Sequence, residues 1–176
     1  MSPLTVHDPD LGSNAIAAIG EVLIGIANLD QRLRFETAPH QLLGNPSIHC
    51  SIISGGQELS SFPERCNLSL ERRTIPAETT EAVLAEIREL VGETVELTAT
   101  FARTPLEMPI GAPIVQVVCE TCGSHGLVPE LIGVGGWTDA ALFDAQGIPS
   151  ILIGPGGERS ARGSRVGRPR GDDAVL

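Results

Sequence analysis

Apolar and polar positions follow one regime up to about residue 104 and another beyond it. Between residues 13 and 29, Ile16, Ile19, Val22, Leu23 and Ile26 fall at helical spacing, with Ser13 placed to cap the helix. A proline-bounded loop from Pro39 to Pro46 follows. Ile48 to Ile53 then alternates as a strand, and Ser54-Gly-Gly-Gln-Glu turns the chain. Residues 65–73 alternate again, with Cys66, Leu68 and Leu70 on one face and Arg65, Asn67, Ser69 and Glu71 on the other. Thr74-Ile-Pro-Ala breaks this strand. A second helix runs to about Val91 on the stripe Val83, Leu84, Ile87, Leu90. Residues 94–101 alternate most cleanly, with Val95, Leu97, Ala99 and Phe101 inward.

Helix, strand, strand, helix, strand is the order of a two-layer α/β sandwich of the ferredoxin-like kind without its first strand. In the complete fold that strand lies in the middle of the sheet. Met1 to Leu11 carries no strand pattern, so the expectation is an N-terminally truncated domain over residues 1–104 with a gap in its sheet.

Beyond the prolines at 105, 109 and 113 the pattern predicts a helix from about Pro113 to Cys122 and an apolar strand at Leu131 to Val134. A short helix around Ala140 to Ala145, ended by Gly147, leads to a second apolar strand, Ile148 to Ile153. Apolar strand, helix, apolar strand is a parallel crossover. Two such strands cannot make a doubly covered sheet, so residues 105–158 read as a fragment of a larger parallel α/β domain. Residues 159–176 have no periodicity and read as a disordered tail.

Composition narrows the class. Of 176 residues 41% are hydrophobic and only 19% charged, which is globular. No apolar run is long enough to cross a bilayer and no secretion signal opens the chain, so a cytoplasmic address follows by default and no membrane partner is expected. A net charge of −10 opposes nucleic-acid binding. All 12 basic residues are arginine, and Arg159, Arg162, Arg165, Arg168 and Arg170 crowd the tail. With no aromatic residue among them, they suit a solvated tail better than a nucleic-acid or membrane patch.

Four cysteines in a reducing compartment read as free thiols, although Cys50 and Cys66 lie on neighbouring strands within reach of a disulfide. Cys119-Glu-Thr-Cys122 with His125 has zinc-like spacing, but a structural zinc needs four ligands, and on a helix the two thiols simply share a face. His49 reads as a strand-face histidine. Thr138 and Asp139 follow glycines at the end of an expected parallel strand, where α/β sheets gather ligands; Asp139 suits a helix cap equally well. Gly154 and Gly156, in Gly154-Pro-Gly-Gly, offer backbone N–H groups to an anion, or make a plain turn. Arg73, at a strand end, suits a substrate carboxylate or an exposed position.

Certain stretches carry a resemblance. Asn45-Pro-Ser-Ile-His-Cys-Ser-Ile-Ile-Ser-Gly-Gly, Ser60-Ser-Phe-Pro-Glu-Arg-Cys and Leu70-Glu-Arg-Arg-Thr-Ile-Pro resemble the dimerisation (lid) domain of a zinc hydrolase superfamily. Its members include the aminoacylases, acetylornithine deacetylase, succinyl-diaminopimelate desuccinylase and carboxypeptidase G. Pro9-Asp-Leu-Gly-Ser-Asn-Ala-Ile resembles the start of the same domain's first helix. Gly136-Trp-Thr-Asp-Ala-Ala and Gly147-Ile-Pro-Ser-Ile-Leu-Ile-Gly-Pro-Gly-Gly-Glu158 resemble the return to the catalytic domain.

The resemblance covers roughly residues 9–158 and implies amide hydrolysis, N-acyl amino acid or peptide substrates, pairing of two copies through the lid, and a two-zinc centre. Such a centre needs His and carboxylate donors with one position left for water. In the family these come from a first half that this sequence does not match. A further histidine follows the family's Gly-Pro-Gly-Gly-Glu turn; here no histidine occurs after His125, and His7 stands about two positions late for a second family histidine. No catalytic or metal-binding residue is therefore assigned, no zinc is expected to bind stably, and the chain is expected to be inactive by itself. The other reading is a non-catalytic dimerisation module. The tail also has a frame-shifted reading: codons exist for Ser160 to Arg170 that, one base along, spell Pro-His-Ala-Val-Arg-Glu-Trp-Val-Asp-Leu, which resembles the family's tail.

Overall fold

A computed structural model describes residues 14–155 together with the backbone of residues 2–7 and 174–175. It divides into two compact units. The first holds residues 1–40 and 44–104; the second holds 41–43 and 105–176.

In the first unit the elements run β1 (Ser2–His7), α1 (Ala15–Phe35), β2 (Ser47–Gly55), β3 (Arg65–Arg73), α2 (Thr80–Val91) and β4 (Val95–Leu97). The strands form one antiparallel sheet in the order β2-β3-β1-β4. This is the complete ferredoxin-like arrangement. The expected missing strand is thus a correction: Ser2–His7 fills the middle of the sheet, pairing Leu4 with Leu68 on one side and with Leu97 on the other. Pro3 lacks an N–H and Leu4 and Val6 are the only aliphatic residues after it in the strand, so the segment has little of a strand's sequence signature. Central position and backbone pairing on both edges make it a strand regardless.

α1 is capped by Asn14 where Ser13 was expected. The Asn14 side chain accepts from the N–H groups of Ile16 and Ala17 at 3.1 and 3.2 Å, two of the donors a helix start leaves unpaired. The helix also outruns its expected end at 29, because the buried stripe Ile19, Val22, Ile26, Leu29 continues to Leu33. Arg32 and Arg34 in its last turn complement the helix dipole. α2 is capped by Thr79 and buries Val83, Ile87 and Val91. Both helices pack on the sheet face formed by Ile48, Cys66, Leu68, Leu70 and Val95, which makes one apolar core. β3 keeps the expected bounds and its even-numbered face, Cys66, Leu68 and Leu70, is buried.

β4 stops at Leu97, whereas the alternation runs on to Phe101, which is 59% exposed. Its ladder with β1 covers only Leu4 to Val6, and Pro3, next in register, has no N–H to extend it.

The β3–α2 connection is pinned by an arginine. The Arg72 side chain is only 7% exposed; its guanidinium meets the Glu78 carboxylate and donates to the Arg73 carbonyl at 2.7 Å. The second Glu78 oxygen accepts from Ile75 N–H at 2.9 Å. The same residues close a turn, Glu78 N–H donating to Ile75 C=O at 3.2 Å, with Pro76 and a left-handed Ala77 (φ 77°) at its centre. Turns of this kind want glycine at the second central position. Ala77→Gly is expected to raise stability by about 0.5 kcal/mol, the left-handed cost of alanine outweighing the looser unfolded chain. A lower melting temperature for the glycine variant would contradict this.

The second unit contains α3 (Pro113–Ser124), α4 (Ala140–Asp144), and a two-residue pairing of β5 (Gly154–Pro155) with β6 (Ala174–Val175). The expected strands 131–134 and 148–153 are not strands here, a second correction. An isolated apolar segment becomes a parallel strand only beside another strand, and among the described residues neither segment has one. Several of their side chains stay outside, Val134, Ile148, Leu152 and Ile153 being 39–59% exposed, while Leu131, Ile132 and Ile151 are half-buried. Gly147 does end the short helix, at φ 76°, with its N–H on Asp144 C=O.

Candidate functional site

β3 carries a run of charged side chains, Glu71, Arg72 and Arg73, at its end. Residues of odd number on this strand face away from the helices, and there Glu71 stands opposite His49 of β2. One Glu71 oxygen lies 3.4 Å from His49 Nε2, and the other is 3.1 Å from the Arg73 guanidinium. His49, Glu71 and Arg73 thus make a cross-strand polar row on the open sheet face. Arg73 is 55% exposed and already engaged with Glu71. Sequence reading singled out Arg73 and His49 separately; the strand register makes Glu71 their shared partner. Arg72 escaped notice, although the same alternation places it on the core side with Leu70.

The cysteines of this sheet do not meet. Cys50 pairs in register with Leu70 and Cys66 with Gly55, with a bulge between Cys50 and Ile52. Both are free thiols, so the disulfide within reach on sequence grounds is ruled out by register. Cys66 is fully buried, and burial pushes its thiol pKa up.

In the second unit Thr138 and Asp139 immediately precede α4, with Asp139 at the N-cap position. The Asp139 side chain is exposed and makes no capping bond. Instead the Thr138 hydroxyl accepts from Ala140 N–H at 3.4 Å, a long bond. Of the two readings of Asp139, side-chain capping therefore fails, and its carboxylate faces solvent. Gly154 belongs to β5; Gly156 lies outside the described residues, as does the arginine-rich tail. Arg73 belongs to the first unit and the other candidates to the second.

Cys119 and Cys122 are half-buried free thiols on α3. His125, just beyond, uses Nδ1 on the Thr121 carbonyl at 2.9 Å and the Ser124 hydroxyl at 3.1 Å. Among the described residues no three His, Cys, Asp or Glu side chains converge as metal donors. The described donor set does not fit a two-zinc centre, which requires several imidazole and carboxylate ligands. No described helix is long and apolar enough to cross a membrane.

Comparison with known proteins places the first unit. The family model described as a peptidase dimerisation domain matches residues 6–98. A protein named as a succinyl-diaminopimelate desuccinylase, DapE, of Mycobacterium tuberculosis is 25% identical over 147 residues, covering 83% of this chain. The chain spans 39% of that relative's length.

Among solved structures, the YXEP protein of Bacillus subtilis, described as a dinuclear metal binding peptidase of the M20 family, matches with a TM-score of 0.60 at 17% identity. The match covers 84% of this chain and 37% of that one. The aminopeptidase PepT of Bacillus cereus gives 0.56 at 19%, covering 84% and 41%. At such identities these likenesses speak for the fold. The dimerisation-domain match extends over more than half of the sequence and takes in α1, β2, β3, α2 and β4, and on that ground the chain belongs to the M20 peptidase family.

Proposed function

We propose that this chain is the dimerisation lid, with an adjoining part of the catalytic domain, of a zinc-dependent hydrolase that cleaves an N-acyl amino acid or peptide amide bond beside a carboxylate. In this reading the first unit joins two copies, and the chain by itself does not hydrolyse. The observation that carries the pairing is the outer edge of β2, which has no strand beside it among the described residues. It is an outer strand of nine residues, exposed from His49 onward, and it presents Ile52 and Ile53 at 57% and 51% exposure. A long edge with unpaired backbone groups and apolar side chains recruits another strand, and a two-fold axis beside β2 would join two sheets through the same surface on each copy. The second unit supports the fragment reading: Val115, Ala140 and Ala141 are its only buried apolar residues among those described, whereas Trp137, Phe143 and Val128 stand well exposed. A sheet-bearing remainder of the catalytic domain would cover such residues.

Light scattering on the purified 18.5 kDa chain is the test of pairing. A discrete dimer is expected, and Ile52→Lys should convert it to monomer with an unchanged circular dichroism spectrum. A wild-type monomer at micromolar concentration would refute the lid reading. Hydrolysis is tested separately, by adding zinc and assaying N-acyl amino acids: no turnover is expected, and metal-dependent turnover would overturn the assignment of the chain as inactive by itself.

A further inference from the structure

We propose that Cys119 and Cys122 form a two-thiolate site on α3 for a soft monovalent metal ion, of which Cu(I) is the natural probe. The site lies outside the segment matched to the dimerisation domain, so it is independent of the lid reading. Both thiols lie on one unbroken α-helix, three positions apart, and both are free and half-buried. A rise of 1.5 Å and a turn of 100° per residue put their Cα atoms about 5 Å apart on one face.

The spacing distinguishes between the two things a thiol pair can do. On a regular helix such neighbours have Cβ atoms about 5–6 Å apart, whereas a disulfide wants about 3.5–4.5 Å. A direct S–S bond would therefore distort the helix. An ion between the sulfurs bridges the wider gap without moving the backbone.

The remaining donors select the ion. Oxygen-seeking cations find no cluster here, and zinc lacks its four ligands, since no three metal-binding side chains converge among the described residues. His125 Nδ1 is turned toward the Thr121 carbonyl, away from a chelating role for that nitrogen. Two soft sulfurs, with no third donor converging on them among the described residues, are a donor set that Cu(I) accepts, since it is content with two thiolates. The buried Val115 lies on the same stripe of α3 and gives the pair an apolar neighbour. In the binding step two Cu–S bonds form and two S–H bonds break. Two protons leave to solvent, and no oxidation state changes.

The test is an anaerobic titration of the whole chain with Cu(I) against a chromogenic competitor, with proton release recorded in weakly buffered solution. One ion per chain and about two protons per ion are expected, with affinity rising as pH rises. Cys119→Ser and Cys122→Ser should each weaken binding at least about tenfold, whereas Cys50→Ser, on the sheet, should leave it unchanged. Circular dichroism verifies that each variant folds, and should show α3 helicity retained with the ion bound. Undiminished binding in the Cys119→Ser/Cys122→Ser double variant would overturn the proposal. So would loss of binding in Cys50→Ser, or spontaneous closure of a Cys119–Cys122 disulfide with helicity intact.

Discussion

Leu68→Ala should destabilise the first unit by about 2–5 kcal/mol, the largest effect of any single substitution considered. Leu68 is fully buried on β3, the strand between β2 and β1, and its backbone pairs with Ile53 on one side and Leu4 on the other. Both α1 and α2 contribute to the core around it, so the vacated volume has walls on several sides and little freedom to collapse. A domain of this size is stable by only about 5–15 kcal/mol, so a loss at the upper end would leave much of the protein unfolded at body temperature. Urea unfolding followed by helix circular dichroism measures it. Arg65→Ala, at an exposed position on the same strand, is the control and should cost under about 0.5 kcal/mol. Equal shifts for the two variants would mean that the core face of β3 is misassigned.

Asp30→Ala comes next, at about 2–3 kcal/mol. One Asp30 oxygen accepts the backbone N–H of Ile48 at 3.0 Å; the other takes the Arg34 guanidinium at 2.6 Å. The first of these matters more. Ile48 is 1% exposed, so its N–H has no water to turn to once the carboxylate is gone, and the start of β2 loses its tie to the end of α1. The exposed half of the arrangement, Arg34 one helical turn from Asp30, adds only a few tenths of a kcal/mol. Asp30→Asn keeps an acceptor for Ile48 and should recover most of the loss. Amide exchange at Ile48 reports the bond directly: strong acceleration in the alanine variant and a mild one in the asparagine variant are expected. No acceleration in either would show that Asp30 does not hold the strand.

How much of this was legible beforehand depends on whether a segment's partners lie close in the sequence. β3 shows its bounds and its buried face because alternation and burial coincide at Cys66, Leu68 and Leu70. α1 and α2 are legible for the same reason at a different period. Ser2–His7 is not, because Pro3 and a short apolar pattern hide a strand that exists only through its two neighbours. The converse error occurs at Thr98 to Phe101 and at Ile148 to Ile153. There the side-chain pattern is strand-like, but the described chain offers no backbone ladder to join. The candidate residues behave alike: Arg73 and His49 were visible as types, whereas their joint partner Glu71 needed the register of β2 on β3.

The central place of Ser2–His7 bears on how the protein is made. Its ladder partners lie about 60 to 95 positions further on, so this segment leaves the ribosome before either neighbour and must wait for β3, and then for Val95, to be synthesised. At roughly 5–20 residues per second that interval is on the order of 5–20 s. Until β4 arrives, α1, β2, β3 and Ser2–His7 can already associate, with Ser2–His7 presenting the bare edge that Val95 to Leu97 later covers. A chaperone that holds back Ser2–His7 would instead leave β3 without its inner neighbour and trap a three-element intermediate prone to sticking to its own kind through β3.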